Sequence, residues 1–262
     1  MLAEMGLAVW GPPAQDAVPT AGEVAAKGAA QVAAEVATAP APNRGPPVFA
    51  APPVETSPVA AMDWPELRDT VAACTACALC QGRRQAVFGV GHELAHWMIV
   101  GEAPGEREDA TGEPFVGVSG QLLDNMLRAL GLTREPGDPA RQVYIANAVK
   151  CRPPGNRNPE PGELARCEPY LQRQIELVRP RIILAMGRFA VQSLLRSTEP
   201  IGRLRGRVHR YQGVPLVVTY HPAYLLRQPQ DKAAACDDLC RAAQVLDSAD
   251  APKRLAPKAA PP

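Results

Sequence analysis

Two hydrophobic patterns alternate along this chain, and together they predict a mixed α/β fold. Four short stretches are almost continuously apolar, at 97–100 (WMIV), 143–149 (VYIANAV), 181–186 (RIILAM) and 214–220 (VPLVVTY). Runs of this length, bounded by Gly, Pro or polar residues, predict strands buried on both faces. Between them the spacing becomes helical. Asp63, Trp64, Pro65 and Glu66 supply an acidic cap, an early proline and a glutamate three residues on, so a helix is expected to start there and run through Leu67 and Val71 to the first cysteines. Ser119 is the expected cap of a helix in which Leu122, Leu123, Met126, Leu127 and Leu130 form one stripe, stopped by Gly131. Further helices are expected at about 162–178, 187–196 and 231–246. Strands alternating with helices imply a mostly parallel sheet covered on both faces. Ligands of such sheets bind just beyond the carboxyl ends of the strands.

Composition limits where this pattern can operate. Residues 1–61 are dominated by Ala, Pro, Val and Gly without apolar periodicity, and 248–262 are similar. Neither segment offers enough burial to offset its ordering entropy, so both are expected to be disordered. The remaining 62–247 is the right size for one domain. The start lacks a basic leader region, and no apolar run approaches membrane-spanning length, so a cytoplasmic, membrane-free monomer is expected. The net charge of +1 hides a local cluster, because Arg203, Arg205, Arg207, His209 and Arg210 fall within 203–210. Such a cluster is either a solvated face or the footprint of a phosphate backbone.

The segment after the first predicted strand carries the candidate chemistry. Residues 101–117 (GEAPGEREDATGEPFVG) hold four glycines, two prolines, five acids and a single aromatic, Phe115. A phosphate cradle would add a lysine, and this loop has none. It reads as one wall of a pocket for something neutral and flat.

The seven cysteines, in a chain read as intracellular, argue against disulfides and for metal or buried thiols. Cys74 and Cys77 form a C-x2-C pair after the first helix. Cys151 follows the second strand, and Cys167 lies beyond a proline-rich loop that can fold back to bring the two thiols together. Spacing alone leaves zinc, an iron–sulfur cluster and buried structural thiols open. Cys80 extends the first pair into a ferredoxin-like run, while Cys236 and Cys240, four apart on a helix, read as packing residues.

These pieces together resemble the family 4, iron–sulfur-containing branch of the uracil-DNA glycosylase superfamily. The matching residues are CTACAL at 74–79, VFGVG at 87–91, the loop 101–117, YIANAVKCRPPGNRNP at 144–159, MGRFA at 186–190, RLRGRVH at 203–209 and VVTYHPAYLLR at 217–227. They occur in collinear order over most of 63–246. The resemblance implies a three-layer α/β/α fold with a central four-stranded parallel sheet. It implies uracil-containing DNA, single- or double-stranded, as substrate, and a [4Fe-4S] cluster held by Cys74, Cys77, Cys151 and Cys167. Cys80 stands outside that ligand pattern.

Residue by residue, the resemblance makes chemical sense. A stacked uracil must be flipped into a pocket and read on its face and Watson–Crick edge. Phe115 corresponds to the stacking aromatic, and Gly101 to a further substrate-binding position. Asn147 corresponds to a carboxamide that accepts from uracil N3–H and donates to O4, its amide orientation expected to be fixed by neighbouring hydrogen bonds. His221 corresponds to the histidine that donates to O2. Glu102 and Ala103 flank the pocket floor, and Ala103 stands where the best-known branch has a water-positioning aspartate. Glu108 is a further acid of the loop, expected to support it rather than to orient water. Arg203, Arg205, Arg207 and His209 are the expected DNA contacts. A non-catalytic iron–sulfur DNA-binding module would not need base-edge readers such as Asn147 and His221. A covalent uracil-DNA-trapping relative carries an inserted basic loop with a reactive histidine, whereas the segment after Gly202 has no insertion.

Overall fold

The computed structural model describes residues 58–250, so most of the two expected disordered segments, 1–57 and 251–262, lies outside the described residues. The described chain begins with a 3-10 turn, Pro58–Ala61, whose Val59 is buried among Leu67, Val71 and Tyr170. The described residues therefore begin four positions ahead of Met62. In chain order, the helices and strands are α1 (Trp64–Ala73), β1 (Val90–Gly91), β2 (Trp97–Gly101), α2 (Glu106–Thr111), α3 (Val118–Ala129), β3 (Tyr144–Asn147), α4 (Pro161–Val178), β4 (Ile182–Met186), α5 (Arg188–Leu195), α6 (Ile201–Leu204), β5 (Val208–Tyr211), β6 (Val214–Thr219), α7 (Pro222–Arg227) and α8 (Lys232–Asp250).

The sheet has six strands in the order β1-β3-β2-β4-β6-β5, not four. The four expected strands form its parallel centre, β3-β2-β4-β6, and an antiparallel strand closes each edge. Both edges escaped the pattern for physical reasons. β1 is only two residues long. β5 lies on the sheet's rim and carries His209 and Arg210, so its residues alternate between exposed and half-buried instead of forming an apolar run. It turns into β6 through Gln212 and Gly213, both at positive φ (47° and 88°), the geometry that tight two-residue hairpins require.

Strand periodicity divides the core into two layers. Ile99, Leu184 and Met186 face α3 and α8, packing with Leu123, Met126 and Leu239. Met98, Val100, Ile183 and Ala185 face α4 and α5, packing with Leu171, Ile175 and Val191. Burial on both sides is why these strands read as continuous apolar runs. A third cluster joins α1 to α4 through Leu67, Val71, Leu164 and Tyr170. Asp63 caps α1 as expected, its side chain accepting from Glu66 N at 3.0 Å while Asp63 N donates back to Glu66 Oε2 at 3.2 Å. The helix α3 is capped by Gly117, and Ser119 lies inside its first turn.

Candidate active site

Register brings the candidate residues together. Gly101 pairs with Asn147 at the ends of β2 and β3, and Met186 pairs with Thr219 at the ends of β4 and β6. Glu102 and Gly187, the next residues, and His221, two beyond Thr219, therefore leave the sheet at the same edge, around a cleft of about 760 Å³. Glu102, Ala103, Phe115, Asn147 and His221 all line it.

Each side chain is held by local structure. Phe115 is buried at a left-handed φ of 56°, and its ring stacks on the His221 imidazole with centroids 5.3 Å apart and planes at 27°. The carbonyl of Phe115 lies so close to α3 that a Cβ at Gly120 would fall 1.8 Å from it, so glycine is required there. Asn147 is 1% exposed, and among the described residues neither its Nδ2 nor its Oδ1 has a hydrogen-bond partner. The expected neighbours that would fix its amide are thus absent, and the carboxamide takes its partners from whatever enters the cleft. Unpaired buried amides are costly, and one that lines a cleft is satisfied by what the cleft admits, water or a ligand.

His221 caps α7, its Nδ1 accepting from Ala223 N at 3.1 Å. That bond places the ring proton on Nε2. Burial, with the Arg227 charge adding to it against Glu108, pulls the imidazole down to about 4, so it is neutral at physiological pH. Burial pushes the Glu102 carboxyl up to about 7, opposed by the nearby Arg188 guanidinium.

Glu108 supports the loop. Its Oε1 accepts from Val116 N at 3.0 Å and Gly117 N at 3.3 Å, and its Oε2 from Gly105 N at 3.1 Å. Those bonds fasten both ends of the segment carrying Phe115, which leaves Glu102 as the carboxyl without such backbone duty. A residue outside the sequence reading adds to this bracing: Asp109 accepts twice from Arg84 N, at 2.9 and 3.1 Å.

The four expected DNA contacts of the basic segment separate into two pairs. Arg205 is turned inward, its Nε donating to the fully buried Asp238 at 3.0 Å while its guanidinium also bonds Ala234 O and lies over the Tyr220 ring. His209 Nε2 meets Leu204 O at 2.8 Å. Arg203 and Arg207 stay exposed. The cleft itself is rimmed by Arg188 and Arg227, both exposed, which sequence reading did not single out. Their only signal was position, at the start of the helix that follows β4 and at the end of the helix that follows His221. Arg205→Ala would strand the Asp238 carboxylate, and breaking such a buried pair costs about 3 kcal/mol. The expected result is a lower melting temperature with the salt dependence of DNA binding unchanged, whereas Arg207→Ala should leave melting alone and flatten that salt dependence. Equal melting temperatures for the two variants would contradict this division.

A second, smaller cavity lies between α1 and α4. Cys74, Cys77, Cys80, Cys151 and Cys167 all line it, so Cys80 joins the four expected thiols around one void. Arg83 Nη1 donates to Cys151 Sγ at 2.8 Å, Lys150 N to Cys167 Sγ at 3.2 Å and Ala76 N to Cys74 Sγ at 3.5 Å. Burial pushes the Cys167 thiol up to about 12 and raises Cys151 as well, the Arg83 contact opposing the latter. Among the described residues, no three His, Cys, Asp or Glu side chains are grouped so as to hold a single metal ion. Cys236 is part of the core beside α3 and Cys240 packs against it, as expected.

Comparison with known proteins places this arrangement. A family model described as the uracil DNA glycosylase superfamily matches residues 88–244. A type-4 uracil-DNA glycosylase of Saccharolobus solfataricus is 42% identical over 191 residues, covering 70% of this chain and 86% of that protein. One from Archaeoglobus fulgidus is 43% identical over 168 residues, covering 61% of this chain and 81% of the relative. A type-5 uracil-DNA glycosylase of Pyrobaculum aerophilum is 37% identical over 142 residues, 50% of this chain and 62% of that relative. Since the matched span contains all four parallel strands and the residues gathered at their ends, the chain belongs to the uracil DNA glycosylase superfamily and, within it, to the type-4 group.

Proposed function

We infer that this protein is a DNA-repair glycosylase that hydrolyses the N-glycosidic bond of uracil in DNA, releasing uracil and leaving an abasic site. The observation that carries this reading is the buried carboxamide of Asn147, which lacks a hydrogen-bond partner among the described residues and lies in the same cleft as Phe115 and a neutral His221. Uracil is neutral and flat and presents an N3–H donor between two carbonyls. Asn147 offers one acceptor and one donor to N3–H and O4. Phe115 supplies a face for stacking, and His221 Nε2–H is available to O2. As the bond to deoxyribose breaks, negative charge develops on the base, and a donor placed at O2 in a water-poor site stabilises it. A neutral imidazole does this without first having to surrender a proton.

The attacking water is assigned to Glu102. Ala103 has no carboxylate and Glu108 is occupied with backbone N–H groups, whereas Glu102 lines the cleft and titrates near neutrality. A carboxylate there orients water and balances the positive charge building on the sugar. The sign follows directly: with the acid raised to about 7, the working anion is lost as pH falls through that value. We expect kcat/KM to rise with pH through about 7 and then level off. Glu102→Gln should remove that limb, and a parent profile flat from pH 5.5 to 8.5 would rule the assignment out. His221 titrates too low to produce the same limb.

The thiol-lined cavity fits a [4Fe-4S] cluster ligated by Cys74, Cys77, Cys151 and Cys167. Thiols from separate segments of the chain surround one void, the arrangement that a cluster held by four thiolates needs. Buried thiols pushed this high become thiolates only beside compensating positive charge, which a cluster's irons supply. The sulfur-directed N–H groups match the hydrogen bonds that such ligands accept. The cluster would tie α1 to the 151–167 segment structurally. Arg203, Arg207, Arg188 and Arg227 are read as phosphate contacts, and the protein as a monomer acting in the cytoplasm.

Uracil release from single- and double-stranded oligonucleotides, with thymine- and cytosine-containing controls, tests the activity. No release from either form would sink it. Iron and zinc analysis on the same preparation tests the cofactor: about four irons per chain and broad absorbance near about 400 nm are expected, and one zinc without iron would refute the cluster.

A further inference from the structure

Lys150 is 1% exposed, in the core between the two cavities just described. Its Nζ donates to the backbone carbonyl of Asn147 at 2.9 Å and to Gln174 Oε1 at 2.6 Å. Gln174 is 0% exposed and is itself held, its Nε2 donating to Phe88 O at 2.9 Å and to Tyr144 Oη at 3.0 Å. The Lys150 backbone is pinned as well, its N–H donating to Cys167 Sγ at 3.2 Å and its carbonyl accepting from Val87 N at 2.7 Å. None of these polar groups bonds to Phe115, His221 or Glu102, so the network acts behind the cleft.

Such a network is a poor way to stabilise a core. A buried charge tolerates its site only when paired, and an apolar residue of similar volume is commonly as stable or more so. What the ammonium does hold is specific. Strand β3 ends at Asn147, and Lys150 reaches back three residues to fix that last carbonyl against α4 through Gln174. Among the described residues the Asn147 side chain has no hydrogen-bond partner to steer it, so its placement depends on its backbone.

We propose that Lys150 is a positioning residue for base recognition: its ammonium, anchored by Gln174, holds the end of β3 so that the Asn147 carboxamide meets the flipped base in one place. This rests on the reading that Asn147 contacts the uracil edge. The same residue touches Cys167, so the thiol-lined cavity and the base-reading carboxamide share one rigid connection only a few residues long.

The test is a double-mutant cycle under single-turnover conditions on uracil-containing DNA, using Lys150→Met, Asn147→Ala and the two combined. Lys150→Met should slow excision at saturating DNA at least about 10-fold, since small misplacements at a reacting centre are that costly. DNA affinity should stay within about twofold, and iron content and visible absorbance should match the parent. In the Asn147→Ala background the same change should have less than about a twofold effect, because a residue acting only through Asn147 has nothing left to position. A rate for Lys150→Met within twofold of the parent overturns the proposal. So does a 10-fold loss that persists without Asn147, which would mark a merely structural role. Asn147→Ala excising at the parent rate would overturn the base-reading assignment itself, an outcome visible in that single variant. Should Lys150→Met not fold, Gln174→Met keeps the ammonium but removes its anchor. It should give a loss of the same direction, likewise absent in the Asn147→Ala background, and no loss would overturn the proposal.

Discussion

Asn147→Asp is expected to lower uracil excision about 100-fold and to create weak excision of cytosine. The carboxamide can present one donor and one acceptor, and among the described residues no hydrogen-bonding group competes with the base for either atom. A carboxylate cannot donate in any orientation. It leaves uracil O4 facing an acceptor, and losing one donor to a developing anion costs on the order of 100-fold. Cytosine carries an amino group in place of O4, which the new acceptor can meet, although its N3 then faces the other carboxylate oxygen. The gain should be small, and larger where cytosine is unpaired and easier to flip. His221 should remain necessary for both bases, because O2 is common to them. Measuring release of both bases from single- and double-stranded oligonucleotides decides the matter. A variant that excises uracil at the parent rate would show that Asn147 does not read the base edge.

Gly101→Ala is expected to cost at least as much activity while changing only one methyl group. A Cβ at this position would lie 2.4 Å from Asn147 Oδ1 and 2.6 and 2.7 Å from the Phe115 ring. Neither neighbour is a free surface side chain. Asn147 is fixed by the strand pairing opposite Gly101, and the carbonyl of Phe115 is pressed against Gly120. Overpacking of this kind typically costs 1–3 kcal/mol in stability, about 2 kcal/mol as a working figure. The displacement falls on the two groups that would bind the base, where about 1 Å costs roughly 100-fold in rate. Excision should therefore drop about 100-fold with a modest fall in melting temperature, and DNA binding should persist. Activity within a few-fold of the parent would mean that the base binds elsewhere in the cleft.

The apolar runs and stripes were sufficient for the parallel centre of the sheet and its main helices, because burial on both faces leaves nothing polar in a strand. The Asp63 cap and the thiol spacing were equally legible, since both are local. The collinear motifs from 74 to 227 carried the family, which the relatives bear out over most of the chain. The edge strands, the short helices α2, α6 and α7 and the true cap of α3 were not visible, for they are short, exposed or dependent on neighbours.

The deeper gap concerns what each side chain is doing, which residue type does not reveal. Arg205 and Arg207 look alike in RLRGRVH, yet one closes over buried Asp238 and the other stays in solvent. Glu102 and Glu108 share a loop, but the helix α2 turns Glu108 onto three backbone N–H groups and leaves Glu102 facing the cleft. Lys150 reads as one more cation beside a cysteine, and only the packing of α4 against β3 buries it under Asn147. By itself the sequence determined the parallel α/β core, the family and the set of residues available for chemistry, because those follow from local periodicity and fixed spacing. Only the tertiary structure decided which acid is spare, which arginine is exposed and which carboxamide is unpartnered, because burial and hydrogen-bond partners are set by segments far apart in the chain.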